Sequence, residues 1–341
     1  MRAKGINYDT GFTPGGKQSR PSFDPADVRR ELRTIAEELH CTAVRITGAD
    51  PARIVVAASI AAEFGLEVWF APFPCDLTAD EMLPLFVDCA SRAEELRVGG
   101  AEVVLVLGCE LSLFAMGFLP GATVFERIEG IMNASPETYA AFATAPAAVA
   151  AFLTTAVDAA RERFGGRITY ASGLWEDLDW SPFDIVSVDA YRDKENAATY
   201  VDQLVARTKH GKPVAITEFG SSTYTGAGER GGMGWMIVDE KSDPPLIPGT
   251  YERDEEEQVR HLRDMLAIYE TEDIDSAFWF TFAGFEQPRH PTDPHRDLDP
   301  ASYGVVAVLE HERGTTYPDM AWEPKQVFGV LAAAYARGRG T

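Results

Sequence analysis

Short apolar runs alternate with longer helix-periodic segments from one end of the chain to the other. Strands are predicted near 4–8, 42–46, 67–72, 102–109, 167–172, 184–189, 213–218 and 276–282. Several are almost continuously apolar, notably Val-Val-Leu-Val-Leu at 103–107 and Ile-Val-Ser-Val at 185–188. Parallel strands buried on both faces have this pattern. Between them, Asp24-Pro25 sets a capping acid before a first-turn proline, and Val28, Leu32, Ile35 and Leu39 then mark one apolar helix face. Thr78-Ala-Asp-Glu81 has the form of a capping box, and Ser135-Pro136-Glu137 repeats the cap-and-proline signal. Further helices are expected over 51–64, 79–97, 147–164, 194–209, 252–271 and 323–337, while the link at 173–183 is too short for one.

Eight such units in a row predict an α/β chain of the (β/α)8 TIM-barrel class, one domain over 1–341. About 250 residues is typical of that fold, so roughly 90 are left for loops. Two insertions hold most of them, 111–147 after strand four and 219–251 after strand seven, the second rich in glycine and proline. A doubly wound sheet is the competing architecture, but no GxGxxG follows the first strand.

Composition narrows the function. The chain has 341 residues with 53 acidic against 31 basic, a formal net charge of −22, which argues against a nucleic-acid binder. The apolar runs fall far short of the roughly 18 residues of a membrane span, and the N-terminus carries no secretory-type apolar segment. Four cysteines without CxxC spacing suit reduced thiols, so a cytoplasmic location is expected. Nothing in the sequence bears on oligomeric state.

In barrels of this class the active site collects at the C-terminal strand ends. Those ends carry Asn7 and Tyr8, Arg45, Trp69, Glu110, Asp189 and Tyr191, Glu218 and Trp279. Glu110 and Glu218 each follow a strongly apolar strand, so both are expected at the barrel mouth, where two carboxyl groups can act as general acid and nucleophile on a glycosidic bond. Trp69, Trp175, Trp235 and Trp279 are candidates to stack on sugar faces, whereas Trp322, before the last helix, is expected in the core.

The run Ile-Thr-Glu218-Phe-Gly resembles the strand-seven nucleophile motif of retaining (β/α)8 glycoside hydrolases, the clan that includes cellulases, β-mannanases and β-galactosidases. Arg45, Tyr191 and Trp279 match its nucleophile-orienting arginine, its aromatic neighbour and its subsite tryptophan. The closing segments Tyr303-Gly-Val-Val and Trp322-Glu-Pro-Lys325 are also similar, so the resemblance spans about 4–337. It implies Glu218 as nucleophile and Glu110 as acid/base, with carboxyls about 5 to 5.5 Å apart, and a carbohydrate substrate with no cofactor and no metal. Together with the strand-end and aromatic candidates, this makes Asn7, Tyr8, Arg45, Trp69, Cys109, Asp189, Tyr191, Trp235 and Trp279 the expected substrate-site residues. One departure stands out: the clan usually has Asn-Glu at the end of strand four, the asparagine bonding the sugar 2-hydroxyl, and this chain has Cys109-Glu110. A thiol is a weak donor and poor acceptor, so that contact is altered. A transglycosylase using the same residues, a non-catalytic carbohydrate-binding barrel, and a metal enzyme with Glu110, Asp189 and Glu218 as ligands are the alternatives. The polar segment 289–297 lacks familiar metal-ligand spacing and reads as a loop.

Overall fold

The computed structural model describes residues 1–133 and 135–337. Eight parallel strands close into a barrel in sequence order: β1 (Ala3–Asp9), β2 (Ala43–Gly48), β3 (Glu67–Pro72), β4 (Val103–Cys109), β5 (Arg167–Gly173), β6 (Val186–Asp189), β7 (Val214–Phe219) and β8 (Ser276–Trp279). β1 pairs with both β2 and β8, which completes the ring. The expected (β/α)8 architecture is therefore present.

The outer layer follows the capping signals. Asp24 accepts a hydrogen bond from the Ala26 amide and opens α1 (Pro25–Glu37), and Asp50 does the same for α2 (Pro51–Glu63). The Thr78–Glu81 capping box opens α3 (Ala79–Val98). Among the described residues no single helix is long and apolar enough to cross a membrane.

Three expectations need correction. The insertion after β4 is mostly helical: α4 (Leu111–Phe114), α5 (Val124–Met132) and α6 (Pro136–Phe142) precede α7 (Ala145–Arg161). The helix expected over 194–209 shortens to α8 (Tyr200–Thr208), because Asp193 and Asn196 exchange side-chain-to-amide bonds and hold the chain in turns before it. β8 ends at Trp279, three residues early, where the next peptide, Phe280–Thr281, is cis. The remaining crossover helix is α9 (Glu255–Thr271), and α10 (Gln326–Ala336) closes the chain after a small antiparallel pair, β9 (Val306–Val308) and β10 (Trp322–Pro324).

Strand alternation divides the buried residues in two. Ile6, Tyr8, Val44, Ile46, Val68, Phe70, Leu105 and Leu107 face outward into the large core shared with the helices. Ala3, Ala43, Trp69, Val104, Val106, Ala215 and Phe278 fill the barrel interior. That interior is packed, so polar groups gather above it, at the C-terminal end.

Register breaks mark the strands that carry the chemistry. Pairing shifts between Val106 and Cys109 on β4, between Val188 and Asp189 on β6, and between Ile216 and Phe219 on β7. Bulges of this kind re-aim side chains next to active sites. Gly108, at φ 88°, allows the β4 turn, and a Cβ there would stand 2.9 Å from Leu111.

Candidate active site

The centre of the barrel mouth is Glu218. Asn7 on β1 sits in register with Arg45 on β2, and both point inward. Arg45 Nη1 donates to Glu218 Oε1 at 2.6 Å and to Asn7 Oδ1 at 2.9 Å. The Asn7 amide in turn donates to the Thr217 carbonyl at 2.9 Å, locking the arginine against β7. Tyr191 O–H donates to Glu218 Oε2 at 2.9 Å. Both carboxylate oxygens of Glu218 are thus held by donors, one of them cationic. Charge-assisted bonds of this kind fix orientation as well as charge.

Glu110 lines the same cleft, at the start of α4, with a left-handed backbone at φ 41° and ψ 50°. Non-glycine residues rarely adopt this conformation, which clusters at functional sites. The turn is held from below: the Glu110 amide donates to the Ala171 carbonyl, the Leu111 amide to the Tyr170 hydroxyl at 2.6 Å, and the Ser112 amide to Glu176. Glu176 also accepts from Tyr170 O–H, so one buried carboxyl anchors the whole turn. Burial, with the charges of Asp189 and Glu218 adding to it, pushes the Glu110 carboxyl well above the ordinary carboxylate range. Its surroundings thus favour the protonated form of Glu110, while Glu218 is paired with a guanidinium.

A third carboxyl lies beside Glu218. Asp189 pairs in register with it across β6 and β7, and the Cys109 thiol donates to Asp189 Oδ2 at 3.1 Å while lying 3.7 Å from Glu218 Oε1. Burial, reinforced by Glu218 and opposed by Arg45, raises Asp189 to about 8. The donor atoms of Cys109, Asp189 and Glu218 lie within 4.8 Å of one another, a spacing that would suit a metal ion. Arg45 already supplies a positive charge there, bonded to Glu218 Oε1 at 2.6 Å. The donor set suits a proton-sharing cluster better than a metal centre.

These groups open into a cleft of about 350 Å³, within the usual range for small-molecule sites. Its walls are aromatic: Phe12, Phe73, Phe114, Phe125, Trp175, Trp235, Phe280 and Tyr303 all line it. Trp175 is half-exposed, with its indole N–H bonded to Ser112 Oγ. Loops from three strands meet around the rim: Lys17 pairs with Glu240 at 2.9 Å, and Phe125 meets Trp235 edge-on. Tyr303 holds the β7 loop in place by accepting from the Gly234 amide at 2.8 Å.

Of the residues expected here, Cys109, Glu110, Asp189, Tyr191, Glu218 and Trp235 line the cleft. Asn7 and Arg45 stand behind Glu218 and hold it. Three do not reach the cleft. Tyr8 faces outward, where its hydroxyl donates to Glu31 and accepts from Arg20 at 2.9 Å. Trp279 also faces outward, packed against Phe219 with its N–H bonded to the Tyr303 carbonyl at 3.1 Å. Trp69 points inward but lies too low, against Phe278 at 4.7 Å with its N–H on Glu67. The residues that take their places are Asp9, two positions above Asn7 on the same face, Phe73, and Phe280, one beyond Trp279. Period-two alternation counted from Asn7 and Arg45 would have pointed to Asp9; Glu286, also in the wall, lies in a loop without such a signal.

A closed eight-stranded parallel barrel with its polar groups at the C-terminal mouth defines a (β/α)8 barrel protein with an enzyme-like site. Solved structures with the same architecture include a GH113 β-1,4-mannanase, with 13% identity, TM-score 0.63, and 98% of this chain and 99% of that chain covered. The GH113 β-mannanase AaManA from Alicyclobacillus acidocaldarius, in complex with ManMIm, has 15% identity and TM-score 0.59 over 98% of this chain and 97% of that one. The family 1 β-glucosidase from Thermotoga maritima has 11% identity and TM-score 0.54 over 92% and 86%. No protein-family model and no curated protein matches the sequence.

Proposed function

We propose that the chain is a retaining glycoside hydrolase that cleaves an oligosaccharide or small glycoside by double displacement. The observation that carries this reading is the opposite treatment of two carboxyls in one aromatic cleft. Glu218 is held by Arg45 at 2.6 Å and by Tyr191 at 2.9 Å, while Glu110 is pushed toward its protonated form. Two acids whose surroundings drive their protonation apart are what a nucleophile and a general acid require. The naming of the structural neighbours as mannanases and a glucosidase points the same way.

In the first step a Glu218 oxygen bonds the anomeric carbon as the glycosidic bond breaks, and the Glu110 proton goes to the departing oxygen. In the second, Glu110, now a carboxylate, takes a proton from water as that water attacks the anomeric carbon and frees Glu218. Arg45 and Tyr191 steady the charge on Glu218 before attack and after release. A sugar hydroxyl in place of water would make the same residues a transglycosylase. The cleft walls carry Asp9, Glu110, Asp189, Asp193, Glu218, Glu240 and Glu286 against Lys17 and Arg230, which favours neutral sugars over uronic acids. Four buried cysteines, none of them in a disulfide among the described residues, support a cytoplasmic setting for this activity.

The test is a panel of aryl glycosides and oligosaccharides, with product stereochemistry followed by NMR. Wild-type protein should release the product with the anomeric configuration of its substrate, and Glu218→Ala and Glu110→Ala should each lose about 10³-fold or more in kcat. Unchanged turnover in both variants, or an inverted first product, overturns the reading.

A further inference from the structure

The proton-donating role asked of Glu110 depends on a backbone that glutamate rarely adopts. At φ 41° and ψ 50° the left-handed turn sets the direction of its side chain, and such a conformation persists only when its surroundings over-determine it. The restraints come from the loop after β5. Glu176 lies there, 1% exposed and not part of the cleft wall. Its Oε1 accepts from the Ser112 amide at 3.0 Å, and its Oε2 accepts from the Tyr170 hydroxyl at 2.8 Å and from the Gly173 amide at 3.1 Å. Tyr170 passes the restraint on, because its oxygen also accepts from the Leu111 amide at 2.6 Å.

The two residues that follow Glu110 are therefore both fastened to one carboxyl, Ser112 directly and Leu111 through a phenol. A second fastening comes from the same short loop: the Glu176 amide donates to the Gly173 carbonyl at 3.1 Å, and the indole N–H of the intervening Trp175 donates to Ser112 Oγ at 3.1 Å. Glu218 is held separately, by Arg45 of β2 and by Tyr191 after β6. Resting on the glycosidase reading, we infer that Glu176 is a positioning residue for the general acid: it holds the turn at 110–112 so that the Glu110 carboxyl meets the departing oxygen, and it takes no part in the attack by Glu218. Without that carboxyl, two amides and a hydroxyl in a buried turn lose their acceptor, and the turn is free to relax toward an ordinary backbone.

Leaving groups differ in how much they need a proton: 2,4-dinitrophenolate departs without one, whereas phenolate requires it, so a misplaced acid is felt mainly by the second. The probes are the 2,4-dinitrophenyl, 4-nitrophenyl and phenyl β-glycosides of glucose, mannose, cellobiose and mannobiose. Glu176→Gln keeps the shape but sets an NH2 group among donors. It should lower kcat/KM about 10- to 100-fold on phenyl glycosides and less than about 3-fold on dinitrophenyl ones, with 4-nitrophenyl between. Because Glu110 must also take a proton from water in the second step, kcat and KM on the dinitrophenyl substrate should fall together, by about 10-fold. Tyr170→Phe, which removes the link to Leu111 and leaves the Ser112 bond, should show the same split at smaller size and covers the case of a glutamine variant that does not fold. A residue that only supports the fold would depress all three leaving groups alike. Equal loss on all of them, or no loss, in folded protein overturns the inference and leaves the glycosidase reading standing. If wild-type protein turns over none of the probes, that reading falls and the inference falls with it.

Discussion

Replacing Arg45 with methionine removes a charge from the most confined part of the molecule and keeps nearly the same length of side chain. Arg45 is fully buried, Glu218 is 7% exposed and Asp189 2%. The substitution deletes the 2.6 Å bond to Glu218 and the 2.9 Å bond to Asn7, and removes the positive charge that Asp189, though not bonded to it, also feels. Breaking a buried ion pair from one side costs about 3–5 kcal/mol. With an unfolding entropy of roughly 0.7 kcal/mol/K for a chain of this length, that is a drop in Tm of about 4–7 °C. The pH dependence has a definite sign. Without the guanidinium, the buried carboxyls favour their protonated forms more strongly in the folded state than in the unfolded one. Folding of the variant then loses ground as pH rises, so the deficit is largest near pH 8 and shrinks toward pH 5. Urea unfolding of both proteins at several pH values measures this. A loss below about 1 kcal/mol, or one that is the same at pH 5 and pH 8, would refute the view that Arg45 neutralises this cluster.

Two further predictions follow from other contacts. Tyr191→Phe removes the 2.9 Å bond to Glu218 Oε2, and because a bond to a charged acceptor is worth about 1.5–3 kcal/mol, kcat should fall about 10- to 100-fold in steady-state assays with little change in stability. Asp299 is buried against Lys325 at 2.8 Å and Arg289 at 3.0 Å, and although burial opposes it, these cations and Arg253 hold its carboxyl down at about 2. The stability this lends is present above the unfolded-state value near 4 and is lost as pH falls toward 2. Asp299→Asn should therefore be less stable by about 2 kcal/mol or more at pH 7, with the gap closing near pH 2 in acid-unfolding curves.

Apolar continuity made the strands legible: a run such as 103–107 can hardly sit anywhere but in a strand buried on both faces, and every strand expected from the sequence forms. The helix starts were equally readable where a capping side chain meets an apolar stripe, as at Asp24 and Thr78. Glu110, Arg45, Tyr191 and Glu218 were legible because polar residues ending apolar strands stand out. Tyr8 and Trp279 were misplaced because a strand end names a level and not a face, and a shift of one residue reverses the face. Trp69 has the right face at the wrong level, since the layer that fills the barrel lies beneath the one that opens to solvent. Phe73 and Glu286 belong to the loops and reach the cleft by tertiary packing, which local sequence pattern does not encode. The thiol–carboxyl contact between Cys109 and Asp189 needs two register shifts on separate strands, and nothing in either strand alone announces it.

The left-handed turn at Glu110 sets activity against durability. A glutamate held at φ 41° is under a strain of about 1–3 kcal/mol that glycine or asparagine at the same place would largely escape. Substitutions there would make the protein harder to unfold and leave it without its proton donor. A screen for heat resistance alone, run without a catalytic readout, would accept such changes at position 110 as readily as at His40 or Asp273, which share the left-handed backbone, and so would drift toward inert barrels.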